Sequence, residues 1–142
     1  MADKVKEKDM KEKMFKAKEY NNFKEIIKES TKKYKENTAF VIKEKDGTKT
    51  NITYEKLSED IHNLGIMFYI MGLENKRTAI IGKNQYAWVL THLANQLGGI
   101  VSVPLDKDLQ YDELENSLIR SKAECIVFDQ KLIPQILKIQ EN

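Results

Sequence analysis

Several features are scarce in this sequence of 142 residues, and each scarcity excludes a class of protein. The single cysteine, Cys125, cannot form an internal disulfide, which predicts a reducing, intracellular setting. No apolar run approaches the roughly 20 residues that cross a bilayer. The N-terminal stretch also lacks the apolar core of a secretory signal. We therefore predict a cytoplasmic protein without a transmembrane segment.

Glycine is also scarce, with six residues in all, and this bears on nucleotide binding. A phosphate-binding P-loop has several glycines followed by a lysine and a serine or threonine, because backbone N–H groups must wrap the phosphate. The segment IIGKNQY has one glycine, Gly82, and no hydroxyl residue after Lys83. A dinucleotide fingerprint of three spaced glycines is absent as well. Lys83 could attract an anion at a helix start, but we favour a solvated lysine with Asn84 capping the following helix.

Histidine occurs only twice, as His62 and His92. Neither has a cysteine or a second histidine at the spacing of metal ligands. His92 lies in an apolar helical stretch, so we predict a hydrogen-bonded interior or interface residue rather than a catalytic base. The nucleophile motif G-x-S-x-G is absent, although a Ser-His-Asp site assembled by the fold is not excluded.

Acidic residues gather near a predicted helix start that follows a strand-like run. Negative charge at that end of a helix is stabilised by the helix dipole, which accounts for these residues without Mg²⁺. They are Asp106, Asp108, Asp112 and Glu113. The sequence contains no complete catalytic constellation, and we predict no catalytic, cofactor-binding or metal-binding residue in this chain.

The net charge of +2 is unevenly distributed. Residues 1–36 hold 12 lysines and 8 acidic residues, and the rest of the chain holds 12 basic and 14 acidic residues. Arginine, which nucleic-acid readout favours, is absent from the basic end. We predict no nucleic-acid binding. Residues 1–21 are predicted to form a basic, frayed helix, with contact to a membrane surface as the less favoured alternative.

A helix and a hairpin are predicted next. Asn22 and Glu25 are a typical capping pair, and the helix is predicted over Phe23–Tyr34. Two strand-like runs then flank Asp46-Gly47, which favours a tight hairpin turn. The positions predicted to be buried in the helix are Phe23, Ile26, Ile27 and Tyr34.

A longer helix is predicted after the hairpin, with Thr53 as its N-cap and Gly72 at its end. Apolar residues recur at spacings of three and four, so they form one continuous face. The positions predicted to face inward are Leu57, Ile61, Leu64, Phe68 and Met71.

The remaining chain alternates between strand-like and helix-like segments, which indicates a parallel sheet. The strands are predicted in RTAIIG, GIVSVPL and AECIVF, with helices between them, the Gly98-Gly99 pair ending the first, and a last helix interrupted by Pro134. In the helix after the second strand, the inward positions are Tyr111, Leu114, Leu118 and Ile119. The predicted fold class is α/β, a parallel sheet with flanking helices, preceded by a helix and a β-hairpin, in a partial domain over residues 22–142.

One helix, predicted around Gln85 to Leu97, carries apolar residues around most of its surface. An ordinary outer helix has one apolar stripe. Burying its four large side chains would contribute on the order of 10 kcal/mol in sum. These are Trp88, Leu90, Leu93 and Leu97. We therefore expect further protein, from the same chain or a partner, to cover this helix.

The order and wording of these segments resemble the N-terminal part of the AMP-forming acyl-CoA synthetases, the adenylate-forming ligases that include long-chain fatty-acid–CoA ligases. The resemblance rests on four pieces: NTAFVIKEKDGTKTNITY, NITYEKLSEDIHNLGIMFYIMGL, RTAIIGKNQYAWVLTHLANQLGGIVSVPLD and LQYDELENSLIRSKAECIVFD. They cover most of the chain in order. The resemblance implies activation of a carboxylic acid with Mg-ATP to an acyl-adenylate, followed by acyl transfer to coenzyme A.

The resemblance does not extend to the catalytic motifs of that family. Its Gly/Ser/Thr-rich phosphate loop ending in Pro-Lys-Gly, its ribose-binding aspartate and its lid lysine follow the region seen here, and none has a counterpart in this sequence. We therefore expect an N-terminal fragment or truncated product with little or no ligase activity. ATP, Mg²⁺ and CoA are implied only for the full-length parent.

Two alternatives remain open at the level of sequence. One is a non-catalytic binding or interaction module of the same fold, whose exposed apolar surface binds a partner chain. For the fragment reading, the predicted partners are the remaining domains of the parent enzyme or a second copy of the chain. The other is a small nucleotide-binding α/β protein of flavodoxin-like order.

Overall fold

The computed structural model describes residues 18–141. Residues 1–17, most of the predicted basic N-terminal helix with its proposed membrane contact, lie outside the described residues. The end of that predicted segment, residues 18–21, is not helical. Among residues 18–141, no helix has the length and apolar character needed to cross a membrane.

Helix α1, Phe23–Tyr34, begins where the capping pair predicts. The backbone of Asn22 is extended, and its side chain accepts a hydrogen bond from the Glu25 N–H at 3.0 Å. The predicted burial of this helix is wrong. None of its residues is fully buried, and Phe23 and Tyr34 are each 38% exposed. The main packing partners of α1 are the neighbouring helices, and they leave its apolar side chains partly exposed, with Ile26 and Ile27 half-buried.

The hairpin consists of β1, Thr38–Lys43, and β2, Lys49–Thr53, which pair antiparallel. Its turn is not the two-residue type that Asp-Gly favours. Gly47 alone has a positive φ, +87°, and its N–H donates to the Glu44 carbonyl at 3.1 Å. This is a turn closed by a left-handed glycine, and Asp46 stabilises it by accepting the Thr48 N–H at 2.9 Å.

Helix α2, Tyr54–Ile70, has the predicted caps at both ends. The Thr53 hydroxyl accepts the Lys56 N–H at 3.1 Å. At the other end Gly72 has φ +72°, and the Leu73 N–H returns to the Phe68 carbonyl at 3.1 Å. Leu57, Ile61 and Phe68 are buried and Leu64 is half-buried, as predicted. Met71 is exposed, because it is the C-cap residue where the helix turns away.

The rest of the chain forms the predicted parallel sheet. Its three strands have the order β4-β3-β5, so β3 is central and pairs on both sides. The elements are β3 Arg77–Ile81, α3 Tyr86–Leu97, β4 Val101–Leu105, α4 Tyr111–Ser121, β5 Cys125–Phe128, a short 3-10 turn Gln130–Leu132, and α5 Ile133–Gln140.

Side chains of the sheet alternate between two apolar clusters, which places helices on both faces. Cys125 and Val127 of β5 contact the cluster that includes Phe68 of α2 and Ala94 of α3. Ile126 and Phe128 contact the other cluster, which contains the three buried residues Ile81, Leu114 and Ile136. Helices α2 and α3 therefore cover one face, and α4 and α5 cover the other. The α/β prediction is confirmed.

Two details of the second face differ from the prediction. Ile119 is exposed, because α4 turns only one stripe, with Leu114 fully buried, towards the sheet. Pro134 does not interrupt a helix. It lies at the second residue of α5, after the 3-10 turn, where a missing N–H breaks no helical hydrogen bond.

Helix α3 approaches the sheet through small and polar residues rather than through its large apolar ones. Thr91, Ala94 and Asn95 are its buried residues. The four large side chains expected to be buried are each half-buried, so the expected stabilisation of about 10 kcal/mol is an overestimate for this part of the chain. They are Trp88, Leu90, Leu93 and Leu97. Gly98 and Gly99 end the helix as predicted, with Gly99 at φ +71°.

Substitutions at two glycines of the α2 region test how backbone conformation at each position affects stability. A Cβ at either Gly65 or Gly72 would meet no atom within 4 Å, so only the backbone differs. We expect Gly65→Ala, inside the helix, to raise the free energy of unfolding by about 0.5–1 kcal/mol. Gly72→Ala, at positive φ, should lower it by about 1 kcal/mol. Urea unfolding followed by circular dichroism measures both, and shifts of the same sign would contradict the assignment.

Candidate functional site

The loop between β3 and α3, residues 82–85, lies at the carboxyl end of the central strand. In open parallel α/β sheets, ligands bind outside this edge. The loop is therefore where a phosphate site would be expected if the chain had one.

The loop holds a carboxylate of its own chain. Asp129, directly after β5, accepts the Lys83 backbone N–H at 2.9 Å with one oxygen and the Gln85 side-chain amide at 2.7 Å with the other. Its own N–H donates to the Ile81 carbonyl at 3.1 Å, which anchors it beside the loop. A backbone N–H that a phosphate would need is thus already hydrogen-bonded to an anionic group.

Gly82 serves this internal contact. A Cβ at Gly82 would lie 3.0 Å from Cγ of Asp129, closer than ordinary side-chain contacts allow. The glycine that the sequence places in a potential phosphate loop therefore allows the close approach of Asp129, whose side chain would have to shift to admit a Cβ. Sequence reasoning missed Asp129. The available signal was an acidic residue at the end of a strand parallel to β3, since carboxyl ends of parallel strands meet at one edge.

The predicted cap of α3 is wrong. Gln85, not Asn84, is the N-cap residue, and no side chain makes a capping hydrogen bond there. Because the Gln85 amide is engaged with Asp129, the helix start is held by the loop contact instead. Asn84 and Lys83 are exposed.

His92 is a hydrogen-bonded interface residue, as predicted. Its Nδ1 lies 2.8 Å from the Ser102 hydroxyl and its Nε2 3.0 Å from the Gln96 amide nitrogen. Because the Gln96 amide nitrogen is a donor, Nε2 accepts and the Nδ1–H donates to Ser102. The ring also stacks on Trp88 at a centroid distance of 5.4 Å. Both nitrogens are occupied, so the ring is positioned for packing rather than for proton transfer.

A polar row crosses the sheet beneath α3. Ser102, Thr78 and Cys125 occupy matching positions on β4, β3 and β5. The Asn95 amide lies above them, with its nitrogen 3.4 Å from the Ser102 hydroxyl. Burial raises the pKa of the Cys125 thiol, which keeps it neutral near pH 7. Thr78 and Asn95 are buried between helix and sheet, and Ser102 is half-buried. Cys125 is on a strand as predicted but only half-buried.

The acidic residues before α4 organise a turn and a helix start, as predicted. Asp106 accepts the Asp108 N–H at 2.9 Å, and Glu113 accepts the Gln110 N–H at 3.1 Å. Asp108 also contacts the Lys107 ammonium. Within the part of the chain that the structure describes, no three histidine, cysteine or acidic side chains are grouped to hold a metal ion.

A second charged contact joins α2 to α3. The Tyr86 hydroxyl donates to Asp60 at 2.8 Å, and Lys56 contacts the other oxygen of the same carboxylate at 2.8 Å. Burial acts to raise the pKa of Asp60, but the hydrogen bonds from Lys56 and Tyr86 outweigh it and hold the pKa below its usual value. Burial and Asp60 together raise the pKa of Tyr86, so the hydroxyl stays protonated as a donor.

Comparison with known proteins decides the family. The model described as "AMP-binding enzyme" matches residues 27–142. The chain belongs to the AMP-binding enzyme family. Curated relatives include the bovine (Bos taurus) medium-chain acyl-CoA ligase ACSF2, mitochondrial, which is 31% identical over 59% of this chain and 14% of that protein. The human (Homo sapiens) counterpart is 27% identical over 78% of this chain and 18% of its own length.

Solved structures of other proteins share the fold. The N-terminal domain of FACL13 from Mycobacterium tuberculosis has a TM-score of 0.78 at 17% identity, covering 87% of this chain and 31% of that one. The anthranilate CoA ligase AuaEII, in complex with anthranoyl-AMP, has a TM-score of 0.76 at 18% identity, covering 88% and 23%. These matches confirm the resemblance to the N-terminal part of adenylate-forming acyl-CoA ligases. The chain spans less than a fifth of the curated family members it matches.

The Asp129 contact makes a prediction about stability. Asp129→Ala leaves the Lys83 N–H and the Gln85 amide without their acceptor, and should lower the free energy of unfolding by about 1–2 kcal/mol. Glu124→Ala is the matched control, since it removes an exposed ion pair with Lys76, and its effect should stay within about 0.5 kcal/mol. Equal effects in urea unfolding would show that the loop does not depend on Asp129.

The Asp60 contact predicts a dependence on pH. A carboxylate whose folded-state pKa is depressed contributes stability above its unfolded pKa and loses that contribution as pH falls through the folded value. The stability difference between the native chain and Asp60→Asn should therefore be largest near pH 7 and shrink below about pH 4. Urea unfolding at several pH values measures it. Glu59→Gln, on the same helix and 3.9 Å from Lys56, should show a smaller and flatter difference.

Proposed function

We propose that this chain is the N-terminal scaffold portion of an ATP-dependent acyl-CoA synthetase. In the parent reaction, the carboxylate of the acid attacks the α-phosphate of ATP, giving an acyl-adenylate and pyrophosphate. The CoA thiol then attacks the acyl carbon and displaces AMP. ATP, Mg²⁺ and CoA are cofactors or substrates of that parent, held by residues outside this chain.

One observation carries the scaffold role: the β3–α3 loop is closed by Asp129. The Lys83 N–H and the Gln85 amide at the carboxyl edge of the sheet both donate to its carboxylate. A triphosphate placed there would compete with that carboxylate and would meet its negative charge. This supports a framework role. That this chain contains no catalytic residue remains a prediction.

The acid substrate is proposed as a class only. The curated relatives are named as medium-chain acyl-CoA ligases, and solved relatives include a benzoate CoA ligase from Burkholderia xenovorans LB400 and a putative long-chain-fatty-acid CoA ligase from Rhodopseudomonas palustris CGA009. We propose a fatty carboxylic acid.

The division into residues 1–21 and 22–142 is likewise a proposal, which limited proteolysis tests.

We also propose a cytoplasmic location, on the basis of the single unpaired cysteine. The curated relatives carry "mitochondrial" in their names, so the two locations compete. Fractionation of cells that produce the protein, with marker enzymes for each compartment, distinguishes them.

The activity test uses the purified chain of 142 residues. With Mg-ATP, CoA and acids ranging from benzoate to long-chain fatty acids, we expect no pyrophosphate release and no hydroxamate formation above the background without enzyme. A complete acyl-CoA ligase is the positive control. Acyl-adenylate formation by the chain alone, from any acid, would overturn the scaffold proposal. A downstream reading frame with a Gly/Ser/Thr-rich loop ending in Pro-Lys-Gly would support the parent reaction.

An exposed apolar surface at the end of α2 favours one alternative, a non-catalytic interaction module. Tyr69 and Ile70 are 69% and 78% exposed, and Ile66, Met67 and Met71 are exposed beside them. Sedimentation velocity tests it: a concentration-dependent dimer, weakened by Ile70→Asp, would support self-association. A stable monomer would count against it.

Calorimetry with ATP and AMP tests the flavodoxin-like alternative, and no heat at millimolar nucleotide would dismiss it.

A further inference from the structure

A groove with a volume of about 620 Å³ lies between α1, α2 and the C-terminal end of α3. We call it the three-helix groove. Its volume is in the range of small-molecule sites, about 300–1,000 Å³. Most of its walls are apolar. The large apolar side chains that line it are Ile27, Ile61, Ile66, Tyr69, Leu97 and Ile100.

A row of lysines forms one side of the groove. Lys24, Lys28 and Lys32 are four residues apart on α1, so they point to the same side of the helix and span about 12 Å. None of the three forms an ion pair with another of the described residues 18–141. Other lysines nearby do, including Lys18 with Glu29 and Lys35 with Glu55. The row is therefore a positive edge beside an apolar surface, and its three charges outnumber Glu74, the acidic residue that lines the groove.

The chemistry of this edge favours one kind of ligand. Apolar walls accept a hydrocarbon chain, and a lysine row provides several point charges without the planar fork with which arginine pairs a carboxylate. A phosphate group offers more charge to such a row than a single carboxylate does. The groove is concave, so it can surround one chain, whereas a flat membrane surface would reach only its rim.

We propose that the three-helix groove binds a monomeric, single-chain lipid with a phosphate head group. The chain lies against Ile61, Ile66 and Leu97, and the phosphate faces the lysine row. This site is separate from the β3–α3 loop and does not depend on the proposed ligase reaction. It would add a lipid-responsive surface to the N-terminal portion of the enzyme.

The first test compares ligands that share one acyl chain. Binding of oleoyl lysophosphatidic acid, oleoyl lysophosphatidylcholine and oleate to the full chain is measured by calorimetry below their critical micelle concentrations. We expect the lysophosphatidic acid to bind at least about tenfold more tightly than the other two, with a difference that shrinks at high salt. If oleate bound as tightly as the lysophosphatidic acid, the proposed role of the phosphate group would be wrong. Inorganic phosphate alone should not bind, because it lacks the chain.

The second test uses matched variants. Lys24→Gln, Lys28→Gln and Lys32→Gln together should weaken lysophosphatidic acid binding at least about tenfold. The same change at three exposed hairpin lysines, Lys43, Lys45 and Lys49, should leave it unchanged. If both triple variants weaken binding equally, the effect is general charge and the proposal fails.

A third variant tests the apolar groove without altering charge. Gly65 lines the groove, and a Cβ there would meet no atom within 4 Å. Gly65→Leu should therefore fill the groove and abolish binding, whereas Gly65→Ala should retain it. Circular dichroism confirms that each variant is folded.

Two further outcomes would overturn the proposal. Stronger binding to anionic phospholipid vesicles than to the monomer, unaffected by Gly65→Leu, would assign the lysine row to a membrane surface. A dimer that Gly65→Leu dissociates, with no lipid bound, would assign the groove to a second copy. Neither outcome bears on acyl-adenylate formation, so failure here and failure of the ligase proposal are distinguishable.

Discussion

The parallel pairing of β3 between β4 and β5 is the constraint from which the other features follow. Because all three strands run in the same direction, their carboxyl ends meet at one edge. That arrangement brings Asp129 to the Lys83 N–H across 46 residues of sequence. It also aligns Ser102, Thr78 and Cys125 into one row. The central strand can be this buried only because helices cover both of its faces.

The helices that cover the sheet come close to it through small residues. Helix α3 lies close to the sheet through Thr91, Ala94 and Asn95, and its large side chains fill the flanks. This requires hydrogen bonds for the polar groups that are brought inside. His92 meets part of that requirement by joining Ser102 on the sheet to Gln96 on its own helix. The prediction of a hydrogen-bonded interface residue at His92, rather than a catalytic base, agrees with these contacts. The buried Thr78 hydroxyl and Asn95 Oδ1 have no hydrogen-bond partner among the described residues.

Features decided by neighbouring residues could be predicted from the sequence. The start of α1 at Asn22 and both ends of α2, at Thr53 and Gly72, depend on cap residues that are visible in the sequence. The alternation of strands and helices likewise predicted the parallel sheet. All of these depend on short-range hydrogen bonding or on periodicity.

Features decided by distant parts of the chain could not be predicted in the same way. The exposure of Phe23 and Tyr34 follows from where α1 packs, which its own amphipathic pattern does not specify. The N-cap of α3 is Gln85 rather than the predicted Asn84, and the Gln85 amide donates to the carboxylate that follows β5. The role of Gly82 depends on the same tertiary contact. The composition of the β3–α3 loop predicts that it does not bind phosphate, whereas the carboxylate that accepts its hydrogen bonds could be identified only from the three-dimensional structure.

The two outer strands of the sheet differ in how well their free edges can pair with another strand. Within the described residues, β4 and β5 each pair on one side only. Pro104 lies in β4 opposite Ile80. Because proline has no N–H to donate, the free edge of β4 cannot form a continuous set of hydrogen bonds with another strand. The free edge of β5, from Cys125 to Phe128, contains no proline. Of the two outer strands, β5 is therefore the one whose free edge has no proline to interrupt pairing with another strand.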